Sequence, residues 1–241
     1  MRAETRHQLK QDAFSRATME AAERTAHWSV EHKNTLIIAG IVVVIVLGIG
    51  VGGWYYQSQQ NDKASLELTL AVRTLDTPLR PPGAPPQAEM PTFASAKERA
   101  EAASKQLQAI LEKYPHTHTA DTARYLLGVA SVTEGNNSAA EQDFKQVISS
   151  GGRELASMAK LALADLYSDT NRANDAIALY QQLIDKPSST VGKVTAQLQL
   201  AALYQSNNRP LDAKRLYEQI KKDNPSSEAS QLATQKLAEL K

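Results

Sequence analysis

Residues 161–187 read LALADLYSDTNRANDAIALYQQLIDKP, and residues 198–225 read LQLAALYQSNNRPLDAKRLYEQIKKDNP. Laid over each other at a step of 37 residues they match in kind: Leu163-Ala164 on Leu200-Ala201, Tyr167 on Tyr204, Ala176 on Ala213, Tyr180 on Tyr217, Leu183 on Ile220. Apolar residues recur at helical spacing on both sides of an Asn-rich turn, Thr170-Asn171-Arg172 in one stretch and Ser206-Asn207-Asn208 in the other. Each stretch therefore reads as two antiparallel helices.

The register extends upstream. Ala103, Ala140, Ala176 and Ala213 follow one another at steps of 37, 36 and 37. A bulky residue stands four after each (Leu107, Phe144, Tyr180, Tyr217), an aliphatic one seven after (Ile110, Val147, Leu183, Ile220), and a proline closes three of the four units (Pro115, Pro187, Pro225). In the remaining unit Gly151 and Gly152 take the breaking role, and its turn is Gly135-Asn136-Asn137. Twelve residues before the alanine sits another small residue behind a leucine: Leu127-Gly128, Leu163-Ala164, Leu200-Ala201. A period near the roughly 34-residue tetratricopeptide unit predicts an all-α, tetratricopeptide-like α-solenoid over 94–241. Small residues at a crossing let two helices approach to about 8–10 Å while the large ring fills the space beside them. A single pair cannot bury its apolar face, but stacked pairs can. Ser227–Leu240 is expected to cap the stack, with Leu232 and Leu237 inward and Lys236, Glu239 and Lys241 outward. Three consecutive registers weigh against an ordinary helical bundle.

The first of these units has a second helix, Ala96–Tyr114, but a run of six prolines from Pro78 to Pro91 where its first helix would be. Such a run excludes helix and central strand, so 77–93 reads as an inserted loop. Residues 57–76 form a polar helix with Leu66, Leu70 and Val72 available to pack, and they are expected to supply the missing first helix. Ahead of them Leu36–Tyr56, LIIAGIVVVIVLGIGVGGWYY, carries no charge over 21 residues. A bilayer core of about 30 Å needs roughly 20 apolar residues in a helix. Trp54, Tyr55 and Tyr56 suit one headgroup layer, and His32 and Lys33 stand at the other edge. Residues 35–56 are thus read as a single transmembrane signal anchor and 1–34 as a short cytoplasmic tail. The run starts late, is long for a signal core and lacks a small-x-small cleavage site, against a cleaved leader.

Charge supports that orientation weakly: Arg16, Arg24 and Lys33 precede the span, and Lys63 and Arg73 follow it within about 20 residues. From residue 57 onward Lys plus Arg and Asp plus Glu each number 21, a balance that argues against nucleic acid as partner. The chain has no cysteine, which removes disulfides, thiol catalysis and thiolate metal sites.

Nothing in the sequence reads as catalytic, and no cofactor is expected. His116 and His118 are two apart in a helix-breaking loop, not at the i, i+4 spacing of a helical metal pair. Asp165 and Asp169 share a helix face, but no base or nucleophile accompanies them. The Gly48–Gly53 cluster lies inside the span, without the strand a dinucleotide loop needs. Gly48 and Gly52 do make a GxxxG pair, which permits a homodimer or partner contact in lipid; tolerated small residues are the other reading. The site with most content is a groove along the first helix of each pair, lined by Tyr125, Val129, Val132, Met158, Leu161, Asp165, Leu198 and Ala202. It is mostly apolar and offers no Lys or Arg, which suits an amphipathic helix or unfolded segment of a protein partner. Packing between repeats is the competing role for each of these residues.

A short tail, one span ending Gly53-Trp54-Tyr55-Tyr56, the Ala64-Ser65 region of a polar helix, and the AILEKYP end at Ala109–Pro115 together resemble the bacterial YfgM family, the ancillary subunit of the SecYEG translocon. The resemblance implies a single-pass inner-membrane protein with its repeat domain in the periplasm. It implies translocon subunits, periplasmic chaperones or newly translocated client chains as partners. The proline insertion and the longer head depart from that pattern. An adaptor in another envelope complex, for division, secretion or outer-membrane biogenesis, fits the same residues.

Overall fold

The computed structural model describes residues 32–81, 83 and 92–240, and the chain divides into two units, 1–58 and 59–241. The expected tail lies almost wholly outside the described residues, as does most of the proline run.

Helix α1, Lys33–Asp76, begins in the first unit and ends in the second. In the first unit its apolar side chains are exposed, from Ile37 through Trp54, Tyr55 and Tyr56. Its most apolar window has a mean hydropathy of 2.8 and no buried residue, so by length and composition it could cross a membrane.

In the second unit, the end of α1 is followed by α2 (Ala96–Lys113), α3 (His118–Glu134), α4 (Asn137–Ser150), α5 (Arg153–Asp169), α6 (Ala173–Asp185), α7 (Lys193–Ser206), α8 (Pro210–Asp223) and α9 (Glu228–Glu239). From α2 on, each helix packs against the next, and α3 also meets α5. Among the described residues the β structure is one isolated bridge, Leu79 to Phe93, which with the Arg80 N–H donating to the Phe93 carbonyl at 2.8 Å pins the base of the proline loop.

Local chemistry sets the helix ends. Ser95 accepts from the Glu98 N–H at 3.1 Å while the Glu98 carboxylate accepts from the Ala94 N–H at 2.7 Å, a reciprocal cap at the start of α2. Thr117 and Ser227 cap α3 and α9 from one side only, each at 3.1 Å. Between the helices of each later pair, one residue takes a left-handed conformation at the same register: Gly135 (φ 85°), Asn171 (φ 58°) and Asn208 (φ 54°). Glycine and asparagine tolerate that region best, which is why they mark this turn.

The core follows the repeat. Ala103, Ala140, Ala176 and Ala213 are fully buried, and Leu107, Phe144, Tyr180 and Tyr217 are at most 2% exposed. Each ring stands sixteen residues after the small residue of its pair; a Cβ placed on Gly128 would lie 2.7 Å from Phe144 Cε1, so that glycine is there for close approach. Residues 59–76 meet α2 and α3: Ala64 and Ala71 share a cluster with Leu107, Ile110, Ala123 and Leu127. Glu67 receives bonds from Lys113 Nζ at 3.1 Å and Tyr114 Oη at 3.1 Å, and Asn61 caps toward Thr119.

Two packing expectations are corrected. Among the described residues of α1 the buried ones are Ala64 and Ala71; Leu66 is 71% and Leu70 58% exposed, because no helix pair among the described residues precedes this one to cover them. On α9 the inward residues are Ala233, fully buried, and Leu237, while Leu232 is 41% exposed. The 37-residue step from Leu200-Ala201 lands on Leu237-Ala238, so α9 keeps the register of a first helix.

Candidate functional site

The eight groove candidates lie on α3, α5 and α7, the first helices of their pairs. Three of them are open: Val129 is 37% and Val132 38% exposed, and Ala202 is exposed. The others are partly buried, and four of them, Tyr125, Met158, Leu161 and Leu198, also pack into the core. Tyr125 packs at 6.0 Å, ring centroid to centroid, against Phe144. Leu161 joins two clusters, Met158 the one around Leu183 and Val191, and Leu198 the one around Tyr217. The face is therefore a strip of exposed aliphatic atoms seated on half-buried side chains.

Asp165 is the one charged member of this set. It holds the same register as Val129 and Ala202, at steps of 36 and 37. The Tyr180 hydroxyl donates to its Oδ1 at 2.5 Å. Burial, and then the nearby Asp169 charge, push the Asp165 carboxyl above the usual carboxylate range, against the Tyr180 hydrogen bond, which acts in the other direction. Burial and the Asp165 contact in turn push the Tyr180 phenol far up, and burial with the Asp165 charge raises Tyr125. Among the described residues, no lysine or arginine is paired with Asp165 or Asp169. The Tyr180 link was not read from the sequence. The signal was there, since Tyr180 fills the crossing beside Ala164 and its hydroxyl must find an acceptor close to that alanine.

Other carboxylates are committed inside the fold. Glu141 takes Lys145 Nζ at 2.6 Å, Arg172 Nη1 at 2.7 Å and Tyr167 Oη at 2.8 Å, and Lys145 leads in holding its carboxyl low. Glu154 accepts from Ser189 at 2.6 Å and from the Thr190 N–H at 3.1 Å, fastening the loop before α7. Among the described residues, no group of three or more His, Asp or Glu is placed to hold a metal ion. Gly48 and Gly52 are exposed, and a Cβ on either would meet nothing within 4 Å.

No curated protein matches the chain in sequence. Among solved structures, the TPR-like repeats of a protein from Podosopora anserina superpose with a TM-score of 0.54 at 16% identity, over 74% of this chain and 85% of that one. Pseudomonas aeruginosa pilF gives 0.52 at 16% identity, over 76% of this chain and 69% of that one. A tetratricopeptide repeat protein from Parabacteroides merdae gives 0.48 at 19% identity; the match covers 60% of this chain and spans about half, 54%, of that protein's length. At these identities the likeness is one of fold. The model of a tetratricopeptide repeat-like domain matches residues 26–182, and that of a tetratricopeptide repeat matches 195–227. With well over half of its length matched and the helix pairs in register, the chain belongs to the tetratricopeptide repeat-like family.

Proposed function

We propose that this protein is a non-enzymatic, membrane-anchored adaptor whose first-helix face docks apolar segments of other proteins, on the periplasmic side of a bacterial inner membrane. Repeat domains of this family bind protein partners and are generally non-catalytic. The observation that carries the reading is that Val129, Val132 and Ala202 leave apolar side chains open to solvent on the first helices of their pairs. Anchoring is supported by the charge-free stretch of α1. The family match begins at residue 26, ahead of that stretch, which favours an anchor that belongs to the domain over a discarded leader. The likeness to the YfgM family supports the Sec translocon and newly translocated chains as partners. The proline insertion supports the alternative of a different envelope assembly complex.

A photo-crosslinking residue introduced at Val129 or Val132 is expected to capture a partner chain in cells, while one at Gln146, exposed on the second helix α4, is not. Equal capture at all three positions contradicts the assignment of the face. A reporter active only in the periplasm, fused after Lys241, is expected to work. Activity of a cytoplasm-only reporter there reverses the orientation.

A further inference from the structure

We infer that the docking face selects a segment carrying a lysine or arginine among apolar residues, and that Asp165 is the residue that reads this cation. The inference rests on the docking role proposed above and adds the chemistry of what docks.

Two observations and one physical rule carry it. Along the column Val129, Asp165, Ala202 two positions are apolar and one is a carboxylate, so the middle repeat places a charge where its neighbours have none. That carboxylate is half-buried with Tyr180 as its hydrogen-bond partner and no cation, whereas the comparable half-buried Asp143 has Arg124 at 3.3 Å and Glu141 has Lys145 and Arg172. A carboxylate taken partly out of water without a counter-charge is unfavourable, and an incoming ammonium or guanidinium relieves that.

The fourth pair supplies the control. Tyr217, the register equivalent of Tyr180, donates its hydroxyl at 2.8 Å to the neutral amide oxygen of Gln205. Satisfying a tyrosine at this crossing does not require a charge, so the charge on Asp165 exceeds what the fold needs. Asp169, exposed one turn along α5, adds a second negative charge on the same side of the helix. The groove positions carry no lysine or arginine to oppose them. The complementary occupant is a segment whose apolar side chains cover Val129, Val132 and Leu161 while its cation meets Asp165.

The test uses the full chain in lipid nanodiscs and Leu/Ala-rich amphipathic peptides identical except for one central Lys, Gln or Glu. The lysine peptide is expected to bind about tenfold tighter than the glutamine peptide, with the glutamate peptide weakest, and added salt should narrow the gap. In Asp165→Asn, whose amide oxygen can still accept from Tyr180, the three affinities should converge; a melting curve confirms that the variant is folded. Equal binding of the lysine and glutamine peptides to the unmodified chain overturns the inference and leaves the docking role standing. A lysine preference that survives Asp165→Asn overturns the assignment to this residue. Failure of every peptide to bind counts against the docking role itself, and the inference falls with it.

Discussion

Leu70-Ala71 in the first helix pair and Leu163-Ala164 in the third are the same dyad at the same distance from the end of their helices, yet Leu163 is 2% exposed and Leu70 58%. Leu127 and Leu200 side with Leu163, at 7% and 1%. The alanines do not differ: Ala71 and Ala164 are both fully buried, because each faces the second helix of its own pair. The leucine faces the pair before it, and for Leu70 there is none among the described residues. Burial in this fold therefore belongs to the interface between neighbours and not to the residue type, as expected of a chain whose units are stabilised by stacking.

That comparison can be broken by mutation. Leu163→Ala and Leu200→Ala should each destabilise the domain by about 2–5 kcal/mol, through lost burial and the cavity left behind. Leu70→Ala should stay within about 0.5 kcal/mol, as a surface change. Equal melting shifts in all three would mean that Leu70 is covered as Leu163 and Leu200 are. Gly128→Ala should cost about 1–3 kcal/mol, because its Cβ would press on the Phe144 ring. The added volume is the specific cause, so pairing it with Phe144→Leu should recover part of the loss, and absence of any recovery would put the strain elsewhere.

The fourth pair contains an opposite case. Gln197 is fully buried, and neither its amide nitrogen nor its amide oxygen has a partner. In the second pair the equivalent residue is Arg124, which finds Asp143, while the position opposite Gln197 is Leu216. Gln197→Leu should therefore raise stability by about 1–3 kcal/mol in urea unfolding. Destabilisation would show that the amide is satisfied in solution.

The smallest effect is a pH dependence. The folded-state pKa of Asp165 is raised above its unfolded value, so the proton it binds favours the fold. That contribution is fully present below the ordinary carboxylate range, about pH 3.9, and is lost as pH rises through the folded value. Asp165→Asn should thus melt slightly higher than the unmodified chain near pH 7, with the gap closing in acid. A gap independent of pH would assign the difference to packing.

Much of this was legible in the sequence where one residue type answers to one constraint. The alanines at the crossings, the rings four residues on and the Asn-rich turns each have a single role, and their spacing carries it. Legibility failed where a residue type has two homes. Leu66 and Leu70 read as packing residues because leucine at helical spacing means an interface, and the sequence does not say whether a neighbour exists to form it. Leu232 reads as inward beside Leu237 for the same reason, although the 37-residue step supports Leu237 alone. On the docking face, Tyr125, Met158, Leu161 and Leu198 are wide enough to serve both the strip and the core, so sequence alone left their burial open. The Asp165–Tyr180 bond joins two helices whose relative rotation is set by packing, and that rotation is not written in the spacing.

The most direct measurement compares folding and docking when charge is placed on the exposed strip. Val129→Glu combined with Val132→Glu, in the full chain in nanodiscs, should leave the melting temperature nearly unchanged, since both side chains already meet solvent. The same variant should weaken binding of the glutamine-bearing amphipathic peptide by tenfold or more, on the order of what is lost when apolar burial is replaced by a desolvated carboxylate. A variant that stays folded and binds the peptide as well as the unmodified chain would contradict the account.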